Sequence, residues 1–338
     1  MNNTFTADRK KYQQLFSKLK SLGLLKHSNV PGIVVVLVEL SLWVLLVMMS
    51  GQVAAYSVAY WLAQVVLGLS LYRCFVLVHE CGHASLFKNQ LLNRVFAEIF
   101  GALAFIPATN WRLVHHQHHK WVGIIDKDPT SEGALKFKEC HSGVRFGYRL
   151  LWVLHIPLAA LTGILIFWQL PFKKSRFKNS RQQRNGLFSL LFVLFFHLGL
   201  CLYLGWQAYY LIFAPALLIY LIVFEAINLC HHAGLYTLNS DMQKKNIPCY
   251  AQARFCRTTL MPTWLSMLLC YHFTLHTEHH LFPQVPWYKL PRLQKMLSEQ
   301  APDHYITIGL LSYWLKIRRA DPFEQFIDSA PALKSSTT

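Results

Sequence analysis

His276-Thr277-Glu278-His279-His280-Leu281-Phe282-Pro283 is the stretch from which the rest of this chain can be read. On a helix, positions 276, 279 and 280 are spaced i, i+3 and i+4, so three imidazoles share one face. Histidine is the commonest side-chain metal ligand, which makes that face a metal-binding arrangement. The spacing recurs in His115-His116-Gln117-His118-His119, at positions 115, 118 and 119. His79-Glu80-Cys81-Gly82-His83 sets two histidines one helical turn apart, and Asn228-Leu229-Cys230-His231-His232 repeats the pattern with Asn in first place. With 17 His in 338 residues, one HxxHH is expected by chance roughly 0.04 times per chain, and two together about once in a thousand chains. The isolated His27, His141, His155, His197, His272 and His304 carry no such pattern and read as surface or satisfied core residues.

Composition says where these clusters sit. The chain is 54% hydrophobic and 14% charged, far below the charge of a soluble domain, and its apolar residues come in long runs. It reads as an integral membrane protein. The formal net charge of +17 comes from 33 Lys+Arg against 16 Asp+Glu. That excess lies in short segments flanking apolar runs, as the positive-inside rule expects, and so argues against a nucleic-acid partner. The cysteines at 74, 81, 140, 201, 230, 249, 256 and 270 form no CxxC pair and read as reduced packing residues. No secretory signal with a cleavage site is expected ahead of the first apolar run, nor a retention tail.

Taken in order, residues 1–32 are a basic segment in which Tyr12, Leu15, Phe16, Leu19 and Leu22 fall at helical spacing. An amphipathic helix on the membrane surface is one reading, and a frayed basic tail the other. Ile33–Ser50 and Val53–Tyr72 are two spanning runs joined by uncharged Gly51-Gln52, with Glu39 expected to face the bundle interior. Phe96–Pro107 is apolar but short, hence interfacial or re-entrant. Leu150–Leu170, Leu187–Gly205 and Trp206–Leu229 follow. If all three crossed, the last two histidine clusters would lie across the membrane from the first two. Segment 171–186 carries six Lys and Arg and no acid, which places it in the cytoplasm. Leu150–Leu170, broken by His155-Ile156-Pro157, then stays in the interface, and the last two runs form a second hairpin. The expected fold is therefore an all-α integral membrane protein. Four transmembrane helices in two hairpins, with interfacial helices, carry a cytoplasmic helical cap that holds a di-metal site. The main unit is 33–320, and 321–338 is expected to be a flexible tail.

His79, His83, His115, His118, His119, His276, His279 and His280 already outnumber the roughly four ligands one zinc takes, so two metals are expected. All-nitrogen sites with open positions suit first-row metals, iron included. His232 is a ninth candidate, while Asn228 can touch a metal weakly or through water; His116 and His231 sit between pattern positions. Glu80, Glu278, Asp126 and Asp128 are candidates to accept the second ring N–H of a ligating imidazole. Trp111 and Arg112 flank the second cluster and are candidates for a substrate entrance, with a structural ion pair or a lipid phosphate as alternatives for Arg112.

His79-Glu-Cys-Gly-His83, His115-x-x-His118-His119 and His276-Thr-Glu-His279-His280-Leu-Phe-Pro resemble the three histidine boxes of the membrane fatty acid desaturase family. Asn228-x-x-x-His232 resembles that family's additional Asn/His motif, and the likeness covers about residues 33–295. The resemblance implies four transmembrane helices under a cytoplasmic cap, with two nonheme iron ions over a bent hydrophobic tunnel. The nine patterned histidines would then be iron ligands, with O2 as co-substrate and a lipid acyl chain as substrate. His119-Lys-Trp-Val-Gly-Ile-Ile-Asp-Lys-Asp-Pro departs from the commoner pattern after the second box, which leaves the substrate class open. The heme-binding His-Pro-Gly-Gly motif is absent from the sequence, so electrons are expected from a separate ferredoxin- or cytochrome b5-type donor and its reductase. Two rival readings stay open. One is a hydroxylase or ketolase of an alkane, sphingolipid or carotenoid using the same site. The other is a nonenzymatic membrane metal-binding protein, for which the spans offer few polar residues beyond Glu39, Gln64 and Glu225.

Overall fold

The structure is a computed structural model that describes residues 6–131, 135, 140–300 and 304–323. Four of its helices are long and apolar enough to cross a membrane: α2 (Asn29–Gln52), α3 (Val58–Gly82), α8 (Ser180–Leu204) and α9 (Trp206–His232). Each start has a local cause. Ser28 accepts the N–H of Val30, Ser57 that of Tyr60 and Asn179 that of Gln182, satisfying donors the first turn leaves free. Between α8 and α9 the whole turn is Gly205, at φ 81°, a conformation that costs an L side chain and not glycine.

These caps move the expected boundaries. Ser57 starts α3 five residues later than the apolar run suggested, so Gly51 and Gln52 end α2 and the link is 53–57. Asn179 starts α8 earlier and draws Arg181 and Arg184 into its first turns. At their other ends α3 and α9 run on through polar residues. With 25 and 27 residues they are about 37 and 40 Å long, against an apolar bilayer core of about 30 Å. The excess is where His79 and His232 lie.

Two further pairs are bent. α4 (Gln90–Leu103) and α5 (Ala108–Trp121) meet at 105°, and α6 (Ser142–Val153) and the segment beginning with α7 (Leu158–Gln169) meet at 113°. Pro107 and Pro157 stand immediately before α5 and α7, as expected of a residue that lacks an N–H and tolerates a helix start. The Leu150–Leu170 stretch is thus a broken segment. Glu225 of α9 holds the break, accepting the N–H groups of Ala159 and Ala160 at 2.7 and 3.0 Å and pairing with Arg318 at 2.8 Å. Glu39 is fully buried, as its place in a span suggested. It accepts from Arg73 Nε at 2.8 Å and from the Tyr271 hydroxyl, and this pair ties α2 and α3 to α10 (Thr263–Cys270).

The remaining described elements are α1 (Thr6–Ser21), α11 (His276–Leu281), α12 (Leu290–Glu299), α13 (Leu310–Arg319), some 3-10 turns and two short strands. The strands depart from an all-helical chain: β1 (Thr258–Leu260) pairs in parallel with β2 (Thr307–Gly309). The surface reading of α1 is corrected. Most of its apolar stripe faces protein, with Leu15 and Leu19 buried in one cluster with Leu281, Phe282 and Leu293, and Tyr12 stacked on Phe282 at 4.7 Å, while Leu22 is exposed. Asp8 pairs with Arg254 at 3.0 Å. The stripe was correctly periodic, but periodicity does not say whether lipid or protein covers it. Of the expected tail, Asp321, Pro322 and Phe323 are described and ordered against the body, and 324–338 lie outside the described residues.

Candidate metal centre

Four elements deliver the histidines. His79 and His83 end α3, His115, His118 and His119 lie on α5, His232 ends α9, and His276, His279 and His280 occupy α11. Their ring nitrogens gather in two groups. His79, His83, His115, His119 and His279 form one, His118, His232, His276 and His280 the other, and within each the nearest ring nitrogens all lie within 4.8 Å of one another. The i+3/i+4 spacing splits both long clusters: His115 and His119 face one group while His118 faces the other, and His279 parts from His276 and His280 in the same way.

The spacing inside each group suits a metal. In the first, Nε2 atoms lie 3.0 Å apart for His79–His279, 2.8 Å for His83–His115, and 3.0 Å for both His115–His119 and His119–His279. In the second, His232–His276 is 2.8 Å and His276–His280 is 3.0 Å. With metal–nitrogen bonds of about 2.1 Å, neighbouring ligands at right angles stand roughly 3.0 Å apart. Two neutral imidazoles facing each other through lone pairs at this distance repel unless a cation or a proton lies between them.

Second hydrogen bonds fix which nitrogen is free. Nδ1 of His79 donates to Glu80 at 3.0 Å, that of His118 to Asp128 at 2.7 Å, that of His232 to the Phe255 carbonyl at 2.8 Å, and that of His280 to Gln252 Oε1 at 2.8 Å. Each leaves the Nε2 lone pair toward the group centre. Burial, reinforced by neighbouring rings, holds His276, His279 and His280 well below the usual histidine range, so they are neutral donors. Burial alone would raise Asp128, but His118 and the Thr130 hydrogen bonds outweigh it and leave the carboxyl below its ordinary value.

Of the acids expected beside the ligands, Glu80 and Asp128 reach a ring. Glu278 and Asp126 do not. Glu278 is buried and takes hydrogen bonds from Thr258 at 2.5 Å and from Tyr305, bracing α11 against β1. Burial, the largest influence, raises its carboxyl. Asp126 instead accepts from the backbone N–H of Ser240 at 2.8 Å and from its hydroxyl. In both cases the side chain points away from its histidine neighbours, which adjacency in sequence cannot reveal. Gln252 went unseen because it is 28 residues from His280 and belongs to no motif. Thr130, whose hydroxyl donates to Asp128 at 2.7 Å, was legible only as part of a turn. His116 bonds the Gly82 carbonyl at 3.3 Å, and His231 stacks on His276 at 3.9 Å; neither joins a group.

One cavity of about 200 Å³ reaches both groups, touching His79 and His115 of the first and His118, His232 and His276 of the second. Its wall is largely apolar, with Phe75, Val114, Ile166, Phe167, Phe224 and Phe273. Asn228 lines it and donates to the Phe224 carbonyl at 2.8 Å. Trp111 also lines it, but deep against the histidine groups: the residue is 3% exposed and its ring stacks on His115 at 4.4 Å. Arg112 is half-buried and does not line the cavity. The expected entrance pair is thus divided, because successive residues of α5 face about 100° apart.

Long apolar helices, two polyhistidine groups and an apolar cavity touching both are the marks of a multi-pass membrane protein whose clusters can hold metal. The model of the fatty acid desaturase family matches residues 55–312, and the chain belongs to that family. It is 26% identical over 245 residues to a chloroplastic omega-6 fatty acid desaturase of Spinacia oleracea, covering 69% of this chain and 52% of that one. It is 24% identical over 268 residues to an sn-1 acyl-lipid omega-3 desaturase (ferredoxin) of Nostoc, covering 73% and 68%. It is 26% identical over 269 residues to an acyl-lipid omega-3 desaturase (cytochrome b5) of Arabidopsis thaliana, covering 73% and 64%. The match thus spans 52–68% of these relatives' lengths.

Proposed function

We propose that this protein introduces a cis double bond into the acyl chain of a lipid, using O2 and two nonheme iron ions held by His79, His83, His115, His119 and His279 on one side and His118, His232, His276 and His280 on the other. The observation that carries this reading is an apolar cavity touching both histidine groups, where a hydrocarbon chain would lie beside both metals. When bound, the metal pair would supply the oxidising power needed to take hydrogen from an unactivated methylene, chemistry beyond any side chain. The donor set fits iron: neutral imidazole nitrogens, spaced for neighbouring positions around a first-row ion.

The chain's own residues do the rest. Phe75, Phe224, Phe273 and Trp111 confine the acyl chain and exclude water, and its position along the cavity selects the C–H bond. Glu80, Asp128 and Gln252 hold ligand rings in one tautomer and orientation. Asn228 sits beside His232 for a weak or water-mediated contact. The four long helices form two hairpins in the membrane, and the histidine-bearing ends and the cap lie on the cytoplasmic side with the basic segment 171–186. The functional unit runs through 33–320 and, given the packing of α1, includes the N-terminal helix. Electrons come from a separate acidic carrier of the ferredoxin or cytochrome b5 type, attracted by the net charge of +17. Two relatives are named for those donors. Mass spectrometry of total lipids after heterologous expression tests the proposal. A new double bond is expected; an added oxygen atom in its place would move the protein to the hydroxylase reading.

A further inference from the structure

The chain's own segment 321–323 contributes to the wall of the cavity. Pro322 and Phe323 line it together with Tyr148, and Phe323 is 6% exposed. The Phe323 ring lies against two guanidinium groups of α6, 4.8 Å from that of Arg145 and 5.2 Å from that of Arg149. Arg149 pairs with Asp321 at 2.5 Å, and their side chains are 45% and 24% exposed. The ion pair is thus partly open to solvent, while the Phe323 ring is buried in the cavity wall. Arg145 Nε is buried and, among the described residues, has no hydrogen-bond partner. A donor in that state is costly to keep unless something else satisfies it part of the time.

Asp321–Phe323 sets a carboxylate on an arginine and an apolar ring in the cavity wall. Those are the two halves of an anionic amphiphile. We propose that Arg145 and Arg149 form the receiving site for a phosphate-bearing headgroup of the acyl substrate, and that Asp321–Phe323 holds this site as an internal stand-in until substrate displaces it. The proposal rests on reading the cavity as an acyl site. The arginines are one helical turn apart, so both forks can reach one phosphate. A half-exposed carboxylate pair is a weak competitor for a doubly charged group held by two guanidiniums. The charged headgroup would stay at the partly exposed arginines while the chain takes the place Phe323 now holds beside the cavity.

The test is binding to the purified full-length protein of three chain-matched probes: a lysophosphatidate, an acyl-CoA and a neutral monoacylglycerol. The double variant Arg145→Gln/Arg149→Gln should weaken the phosphate-bearing probes by about tenfold or more and leave monoacylglycerol unchanged. Phe323→Ala should strengthen every chain-bearing probe. Asp321→Asn, which leaves both arginines in place, should strengthen only those with phosphate. A loss confined to lysophosphatidate identifies a bilayer lipid as the source of the headgroup, and a loss confined to acyl-CoA a soluble thioester. Equal affinity of the double variant and the wild type for both phosphate probes overturns the proposal, as does weaker binding to Phe323→Ala. If the wild type makes no new double bond in cells, the functional reading fails, and these affinities still decide the headgroup site separately.

Discussion

Gly82, inside the first histidine cluster, sits where a side chain would collide with Trp111. A Cβ built there would lie 2.6 Å from Cζ3 of Trp111. Carbon atoms rest at about 3.5–4.0 Å, so Gly82→Ala demands a shift of about 1 Å. Trp111 cannot simply swing away, because it is 3% exposed, stacked on His115 at 4.4 Å and edge-on to Phe75 at 5.9 Å. Either the indole moves and carries His115, or α3 and α5 separate and carry His83 from His115. Overpacking of this kind costs about 1–3 kcal/mol. A displacement of about 1 Å among reacting groups costs about a hundredfold in rate. Gly82→Ala should therefore lower the thermal midpoint of detergent-solubilised protein, reduce bound iron, and cut product by about a hundredfold. Gly199→Ala on α8 is the control, since its Cβ meets nothing within 4 Å; there the same change should be neutral or stabilise by up to about 1 kcal/mol. A Gly82→Ala protein with wild-type iron content and turnover would refute the close contact on which the reasoning depends.

Other consequences are as concrete. Asp128→Ala and Gln252→Leu each remove the acceptor that orients a ring, of His118 and His280 respectively, and should weaken metal binding about 10- to 100-fold in chelator competition while the protein stays in the membrane. Burial depresses His276, His279 and His280 in the fold, so the unfolded chain takes up protons first. Stability and metal retention should hold above about pH 6.5 and fall progressively below it, a trend that melting curves between about pH 7.5 and 5 can follow. Leu19, fully buried in α1, should cost about 2–5 kcal/mol when cut to Ala. A neutral Leu19→Ala by thermal melting would return α1 to the membrane surface.

What could be read in the sequence follows from what is local. The histidine clusters are helical faces, and helical spacing alone splits His118 from His115 and His119. Span existence follows from apolar length, and the need for one non-crossing segment from the requirement that the clusters meet. Where the reading failed, the deciding contact is distant in sequence. Gln252 orients His280 from a 3-10 turn, Glu278 turns to Thr258 and Tyr305, and the stripe of α1 is covered by Phe282. Span ends shifted because single capping residues, Ser57 and Asn179, outweigh hydropathy at a boundary. Trp111 and Arg112 were paired by adjacency, yet neighbours on a helix face different ways.

The central claim is that these histidines make two metal sites facing one acyl cavity, and the most direct measurement is iron per chain. Protein purified from iron-supplied cells should carry two irons, and variants drawn from different groups, His83→Ala and His232→Ala, should each fall to about one. A wild-type protein with a single iron or none, under conditions where it is active on lipid, would contradict the account.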